Sequence, residues 1–409
     1  MPKTLIITND FPPRQGGIET FVHAMATRFP ADSVAVYTSA EPGAHAYDDG
    51  LPFPVVRDPS RTLLPTRRTT DRAVGLIREL DCDRVWFGAA APLGLMAAAL
   101  RRRTRVQRLV ATTHGHEVWW ARTPGARTAL RRIGATTDTV TCLGDHTRRI
   151  IASALDPAAA SRMRALTPGV DPADFAPDPD SGRSADPGTG SGRTADPAPA
   201  TGRTADPGTG RAALRRRYGI APDAPVVLCA ARLVPRKGQD TLIRALPLVH
   251  RSVPGATLLL VGSGPYESRL RRLIAAEGVR DTVVLAGGHP HTAMPAFYAA
   301  ADVFAMPCRT RRLGMEVEGL GIVSLEAAAA GLPVLTGASG GAPDTVREGE
   351  TGHVVDGRGP EPVADRLIRL LGDREAAADM GRKGREWVAS QWTWARTYRQ
   401  LAALLAYPD

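Results

Sequence analysis

The chain is poor in lysine. Of its 52 basic residues only Lys3, Lys237 and Lys383 are lysine, and the rest are arginine. A coding preference for arginine accounts for this bias, so a lysine kept inside a motif is more informative than usual, Lys237 above all. Cysteine is scarce as well. Cys82, Cys142, Cys229 and Cys308 lie far apart with no CxxC pair. That spacing excludes a zinc ribbon or a disulfide framework and points to reduced, packed thiols in a cytoplasmic protein. No apolar run reaches the ~20 residues of a membrane span. The nearest, Val85–Leu100, contains Pro92 and reads as a strand, a turn and a helix. The start, "MPKTLIITNDFPP", lacks the basic and long apolar regions of a signal peptide. Aromatic residues make up 5% of the chain and do not interleave with the arginine clusters. A base-stacking nucleic-acid surface is therefore disfavoured. No GxGxxG fingerprint is present, since Gly16-Gly17 and "VGSGP" (Val261–Pro265) both miss that spacing. A nicotinamide-dependent dehydrogenase is disfavoured on this ground.

What is present suits two globular domains: 409 residues, 43% hydrophobic and 23% charged. Short apolar runs, "TLIIT", "SVAVYT", "RVWFGA", "RLVATTH" and "TVTCLG", alternate with helical patterns such as Ile18, Phe21, Val22, Met25. This predicts a parallel sheet covered by helices on both faces. Residues 181–210 then form three tandem decamers rich in Gly, Pro, Ser, Thr and Asp, without a bulky hydrophobe. Such a segment cannot bury enough apolar surface to order itself and reads as a disordered linker insert. The alternation resumes with "PVVLCAAR", "ATLLLVGSG", "TVVLAGG", "DVFAMP" and "LPVLTG". The expected organisation is α/β, with two doubly wound Rossmann-like domains facing across a cleft. The boundaries are 1–177, an insert over 178–210, a second domain over 211–388, and a C-terminal helix over 389–409 packing back towards the first domain. Ligands of open α/β sheets lie beyond the carboxyl ends of the strands, so the cleft is the expected site.

Several motifs carry chemistry. Gly16-Gly17 precedes a helix and lets backbone approach an anion. "TTHGHEVWW" puts His114 or His116 just after a strand, where either could serve in acid–base work. "ARLVPRKGQD" puts Arg232 and Lys237 on a loop after a strand, suited to a diphosphate. In "GMEVEGLGIVSLE" the loop "EGLG" runs into a helical pattern from Ile322 that ends at Gly331. Amides of Gly321, Ile322 and Val323 would face an anion with the helix dipole behind them. Glu318 and Glu326, seven residues between them, would bracket that anion. Glu316 falls outside this spacing and reads as a loop acid beside Arg311 or Arg312.

"EGLGIVSLE" resembles the E-x7-E motif of the family 4 glycosyltransferases, which have the GT-B fold. "NDFPPRQGGIE", "THGHEVWWA", "PGVD", "ARLVPRKGQD", "VGSGP", "PCRTRRLGMEVEGLGIV" and "SGGAPDTV" fall in the family order across nearly the whole chain. Within that family the chain is most similar to the members that use GDP-mannose on phosphatidylinositol mannosides. The decamer insert departs from the family's short linker. The resemblance implies that Arg232 and Lys237 hold the donor diphosphate, Glu318 the mannose hydroxyls and Glu326 the ribose hydroxyls. Amides of Leu320, Gly321, Ile322 and Val323 would meet sugar and phosphate, and Gly17 the donor phosphate. His114, rather than His116, would touch the transferred sugar, and the turn at His289 would meet the base through its backbone. It also implies a metal-independent, retaining hexosyl transfer without a cofactor, from GDP-mannose to a phosphoinositide-type lipid acceptor in α-1,6 linkage.

The net charge is +10, and residues 1–177 hold 23 Lys and Arg against 17 Asp and Glu, hence +6. With arginines beside apolar positions in "RRTTDRAVGLIREL" and "ALRRRTRVQRL", the expected partner is an anionic inner membrane surface, touched peripherally, with no nucleic acid. Two alternatives stay open on sequence. One is a relative using a UDP- or GDP-sugar on a soluble inositol or glycan. The other is a non-catalytic basic protein binding membrane or nucleic acid.

Overall fold

The computed structural model describes residues 2–14, 16–175 and 210–407, the side chain of Leu313 excepted. The decamer segment lies outside them, apart from Gly210. The chain forms two compact units, residues 1–169 with 392–409, and residues 170–391.

The first unit is built on seven strands: β1 (Thr4–Ile7), β2 (Val34–Ser39), β3 (Val55–Asp58), β4 (Arg84–Phe87), β5 (Arg108–Thr112), β6 (Thr139–Cys142) and β7 (Arg164–Ala165). Their order is β3-β2-β1-β4-β5-β6-β7, and every pairing is parallel. All side chains of β1, β2 and β4 are buried, as central parallel strands covered on both faces require. The order reverses between β1 and β4. The loops after these two strands therefore part at the carboxyl edge and leave a crevice there.

The Trp394–Leu404 helix belongs to this unit. Leu401 and Leu405 share a core with Phe21, Phe29 and Trp86. Trp394 packs on Phe21 at 5.9 Å between ring centroids, and Tyr398 meets Phe29 edge-on at 5.1 Å. Arg84 Nε donates to the Leu405 carbonyl at 2.6 Å. The aromatic stripe of this helix is thus core.

The second unit has six parallel strands: β8 (Val226–Ala230), β9 (Thr257–Val261), β10 (Val283–Gly287), β11 (Val303–Met306), β12 (Val334–Gly337) and β13 (Gly352–Val355). Their order is β10-β9-β8-β11-β12-β13. The reversal falls between β8 and β11, so the loops leaving those two strands flank the crevice of this unit.

The units divide at 169/170 and 391/392 rather than at the expected 177/178 and 388/389. Packing explains the difference. The Phe175 ring meets His291 and Tyr298 edge-on, at 6.0 and 5.6 Å, and its carbonyl accepts from Arg385 at 3.2 Å. Gly169, by contrast, lies so close under Thr393 and Trp394 that a Cβ there would strike the Trp394 backbone.

Candidate functional site

In the second unit the loop after β8 carries Arg232 and Lys237, and the loop after β11 carries Glu318. Two devices lock these loops together. Gly238 takes a φ of +80°, and a Cβ on it would strike the Pro307 carbonyl. Arg309 donates its amide to the Arg236 carbonyl at 2.8 Å, and its Nη2 meets both Asp240 oxygens at 2.9 and 2.7 Å. Such a charge-assisted contact is stronger than a neutral hydrogen bond.

Lys237 Nζ lies 2.8 Å from Glu318 Oε2, with side chains 11% and 8% exposed. That oxygen makes no aligned hydrogen bond, so the contact is one of charge. Arg236 Nε stands 4.0 Å from the same oxygen and is itself buried without a hydrogen bond. Arg232 is exposed and forms no ion pair among the described residues. The two cations singled out in sequence therefore differ: Lys237 is compensated by Glu318, and Arg232 is not.

The Glu318 backbone is clamped by the Ser339-Gly340-Gly341 turn. Its N–H donates to Ser339 Oγ at 3.3 Å and its carbonyl accepts from Gly341 at 3.0 Å. Gly321, at φ +85°, caps the Ile322–Ala329 helix without a side chain. The Ser324 amide turns back to the Gly321 carbonyl at 2.9 Å, which leaves the Ile322 and Val323 amides without an intrahelical acceptor. Leu320 is buried, and Ile322 and Val323 are half-buried. Ser324 Oγ and Gln239 Oε1 are fully buried and unpartnered. Buried polar atoms are normally satisfied. Glu318 Oε2, Arg236 Nε, Gln239 Oε1 and Ser324 Oγ leave this region, spread over two loops and two helix starts, short of hydrogen-bond partners.

Glu326, 4% exposed, is held from both sides. Tyr298 donates its hydroxyl to Oε2 at 2.7 Å, and His291 Nε2 meets Oε1 at 3.0 Å. Burial, then the Glu326 charge, raises the Tyr298 pKa well above its usual value, so the phenol stays a neutral donor. Glu316 sits outside this set, paired with Arg311 at 3.5 Å and Arg312 at 3.1 Å. His289, in the turn after β10, spends its ring on the Tyr218 hydroxyl at 3.0 Å and the Ala286 carbonyl at 3.1 Å. Both contacts are made by Nε2, and Nδ1 makes no hydrogen bond among the described residues.

In the first unit His114 follows β5. Its Nε2 lies 2.6 Å from the Gly88 carbonyl. A carbonyl only accepts, so Nε2 carries the proton. Burial pushes the imidazole pKa down to about 4. The ring is neutral near pH 7, and Nδ1 is left as an acceptor. His116 is exposed, 3.4 Å from the fully buried Glu117. Glu117 accepts the His114 amide at 2.9 Å and so fixes the loop.

Gly16 and Gly17 begin the Gly17–Ala26 helix after β1. A Cβ on Gly16 would collide with the Glu19 carboxylate, whereas one on Gly17 would meet nothing within 4 Å. Asp10, on the same loop, is half-buried and makes no side-chain hydrogen bond or ion pair among the described residues. Burial, then Glu19, raises its pKa.

Sequence reading missed Arg236, His291, Tyr298, Ser339 and the Arg309–Asp240 pair. Tyr298 lies in "MPAFYAAA", which reads as core, and His291 stands two residues past His289. Only the hydrogen bonds to Glu326 distinguish them.

Two family descriptions match the chain: "Glycosyltransferase Family 4" over residues 15–174 and "Glycosyl transferases group 1" over residues 210–387. The chain is 46% identical to the GDP-mannose-dependent alpha-(1-6)-phosphatidylinositol monomannoside mannosyltransferase of Mycobacterium tuberculosis, over 100% of this chain and 99% of that protein. It is 41% identical to the enzyme of Corynebacterium glutamicum named for the monoacylated acceptor, over 98% and 97%. Among solved structures, Anabaena HepE in complex with UDP superposes with a TM-score of 0.78 at 19% identity, covering 99% of both chains. That last likeness concerns the fold alone, the GT-B class of paired Rossmann-like domains. With both family descriptions matched and likeness running from end to end, the chain belongs to the family 4 glycosyltransferases.

Proposed function

We propose that this protein moves mannose from GDP-mannose to a phosphatidylinositol mannoside, forming an α-1,6 linkage with retention at the anomeric carbon. The observation that carries this reading is the full-length likeness, at 46% identity, to enzymes named for that reaction. The site chemistry supports it. Transfer requires the C1–oxygen bond to the diphosphate to break while an acceptor oxygen bonds C1 from the same face. The acceptor's proton leaves with the departing phosphate oxygen. Charge grows on the diphosphate and on an oxocarbenium-like sugar.

Arg232, Arg236 and Lys237, with the first-turn amides of the Ile322–Ala329 helix, are the groups assigned to the diphosphate. Glu318 receives the mannose hydroxyls and Glu326 the ribose hydroxyls. His114 Nδ1 is an acceptor for a hydroxyl of the transferred sugar, and Gly17 leaves room for the donor phosphate. Glu318, held by Lys237, is poorly placed to act as a covalent nucleophile, which favours a same-face substitution within one ion pair. Three cations and a helix N-terminus also make a metal unnecessary for leaving-group stabilisation. The acceptor places the enzyme peripherally on an anionic inner membrane face, with no nucleic acid as partner.

Incubation with a panel of GDP- and UDP-sugars and membrane extract, followed by identification of the product lipid, tests the assignment. Product is expected with GDP-mannose, unchanged by EDTA. Arg232→Ala combined with Lys237→Ala is expected to abolish it. Full turnover in that double variant would remove the site assignment, and a trapped mannosyl-enzyme adduct would remove the same-face route.

A further inference from the structure

Glu326 has a neighbourhood of its own. It is a carboxylate almost excluded from water, and an ionised carboxylate offers about four acceptor positions, two per oxygen. Tyr298 takes one on Oε2, and His291 takes one on Oε1. One position remains on each oxygen, which is the pattern a vicinal diol needs from a single carboxylate. Tyr298 is fully buried and also reaches the Val323 carbonyl at 3.3 Å, so it serves packing as well as orientation. His291 differs. Its side chain is 63% exposed and fills no core. Its described contacts are the Glu326 bond and an edge-on approach to Phe175 at 6.0 Å. The charged and titratable groups around it are Glu326, Asp174 and Tyr298.

We propose that His291 is a positioning residue for donor recognition: by holding Oε1 while Tyr298 holds Oε2, it sets the rotation of the Glu326 carboxylate, so that both remaining acceptor positions meet the two ribose hydroxyls together. The proposal rests on the reading of Glu326 as the ribose acceptor. Without His291 the carboxylate stays tethered at one oxygen only and swings about the Tyr298 bond. Ribose recognition is then lost in part, while the diphosphate groups on the other loops are untouched.

The test is inhibition of transfer by GDP and by 2′,3′-dideoxy-GDP, measured on the full chain and on His291→Phe and His291→Gln. The native enzyme is expected to prefer GDP by about tenfold or more, because an absent hydroxyl leaves a buried acceptor unpaired. His291→Phe should reduce that preference at least fivefold or so, with the KM for GDP-mannose rising more than kcat falls. His291→Gln, whose amide reaches a similar point and donates, should restore most of it. A merely structural role would move both inhibitors alike. If His291→Phe keeps the native preference, the proposal fails and the ribose reading of Glu326 stands. If the native enzyme does not distinguish the two nucleotides, the ribose reading fails and takes the proposal with it.

Discussion

Lys237 and Glu318 are each nearly excluded from water, and neither charge is tolerable there alone. Removing one partner of a buried pair strands the other, at a cost of about 3 kcal/mol or more. Lys237→Ala is therefore expected to lower stability towards urea by that order and to abolish transfer. Adding Glu318→Gln removes the stranded charge, so the double variant should recover most of the stability and none of the activity. A Lys237→Ala protein that unfolds like the native one would mean the pair is not held as described. His114 makes the second prediction at this scale. Its folded-state pKa, about 4, lies below the ordinary value of 6.5. Between those values the unfolded chain binds a proton that the folded chain refuses. The stability contributed by the neutral ring is thus complete above about pH 6.5 and is lost as pH falls towards 4. The difference between those two values corresponds to about 3 kcal/mol at most. His114→Asn should flatten that part of the stability curve relative to the native protein. Parallel curves for the two would show that the ring is not buried in its neutral form.

Among the elements, glycines at loop–helix junctions separate positions that serve packing from those that serve a ligand. Gly340, at φ +60°, lies against the Glu318 carbonyl, which a Cβ would strike. Gly340→Ala should cost roughly 2 kcal/mol or more and displace Glu318, so stability and activity fall together. Gly17→Ala adds a methyl to open space at the first turn of a helix, where alanine is preferred by up to about 1 kcal/mol. It should leave melting unchanged or raised and, on the proposed role of Gly17 beside the donor phosphate, weaken donor binding. A Gly17→Ala enzyme with native KM for GDP-mannose would count against that approach. The loops around these glycines were readable because their residue types break local rules. Acids stand in an apolar run, a rare lysine sits in a turn, and glycines open a helix. Central strands were readable for the opposite reason, as unbroken apolar runs. β3 (VVRD), β7 (RA) and β13 (GHVV) were not. Each is short, lies at or towards a sheet edge, and carries polar or small residues that periodicity cannot separate from loop. The partners of Glu326 were hidden too, because His291 and Tyr298 reach it across 35 and 28 residues, and no local pattern encodes such a contact.

For the molecule as a whole the question is what its charge is for. Several of the arginines in the first unit are held in ion pairs. Arg68 pairs with Asp58, Arg72 with Glu79, Arg101 with Asp138 and Arg103 with Asp71. Exposed arginines without an ion pair among the described residues remain at several places, Arg102, Arg105, Arg131 and Arg132 among them. Arg61 and Arg67 are exposed without an ion pair among the described residues, and between them Leu64 is 53% exposed. An exposed leucine flanked by uncompensated arginines, on the loop leading into the Arg67–Glu79 helix, is the combination that an anionic leaflet attracts. Each basic residue near such a surface contributes about 1 kcal/mol, and the attraction is screened over a Debye length of roughly 8–10 Å at physiological salt. On the proposed membrane role, two arginines and one shallow leucine would give binding that is weak, reversible and steeply salt-dependent. No described helix is long and apolar enough to cross a membrane. Sedimentation with vesicles containing anionic phospholipid should therefore capture the protein at low salt and release it as salt rises, while neutral vesicles should leave it in solution. Arg61→Glu with Arg67→Glu should abolish capture and slow transfer to acceptor in vesicles far more than transfer to acceptor dispersed in detergent. Equal capture by anionic and neutral vesicles would assign the basic surplus to solubility and remove the membrane from the account of this enzyme.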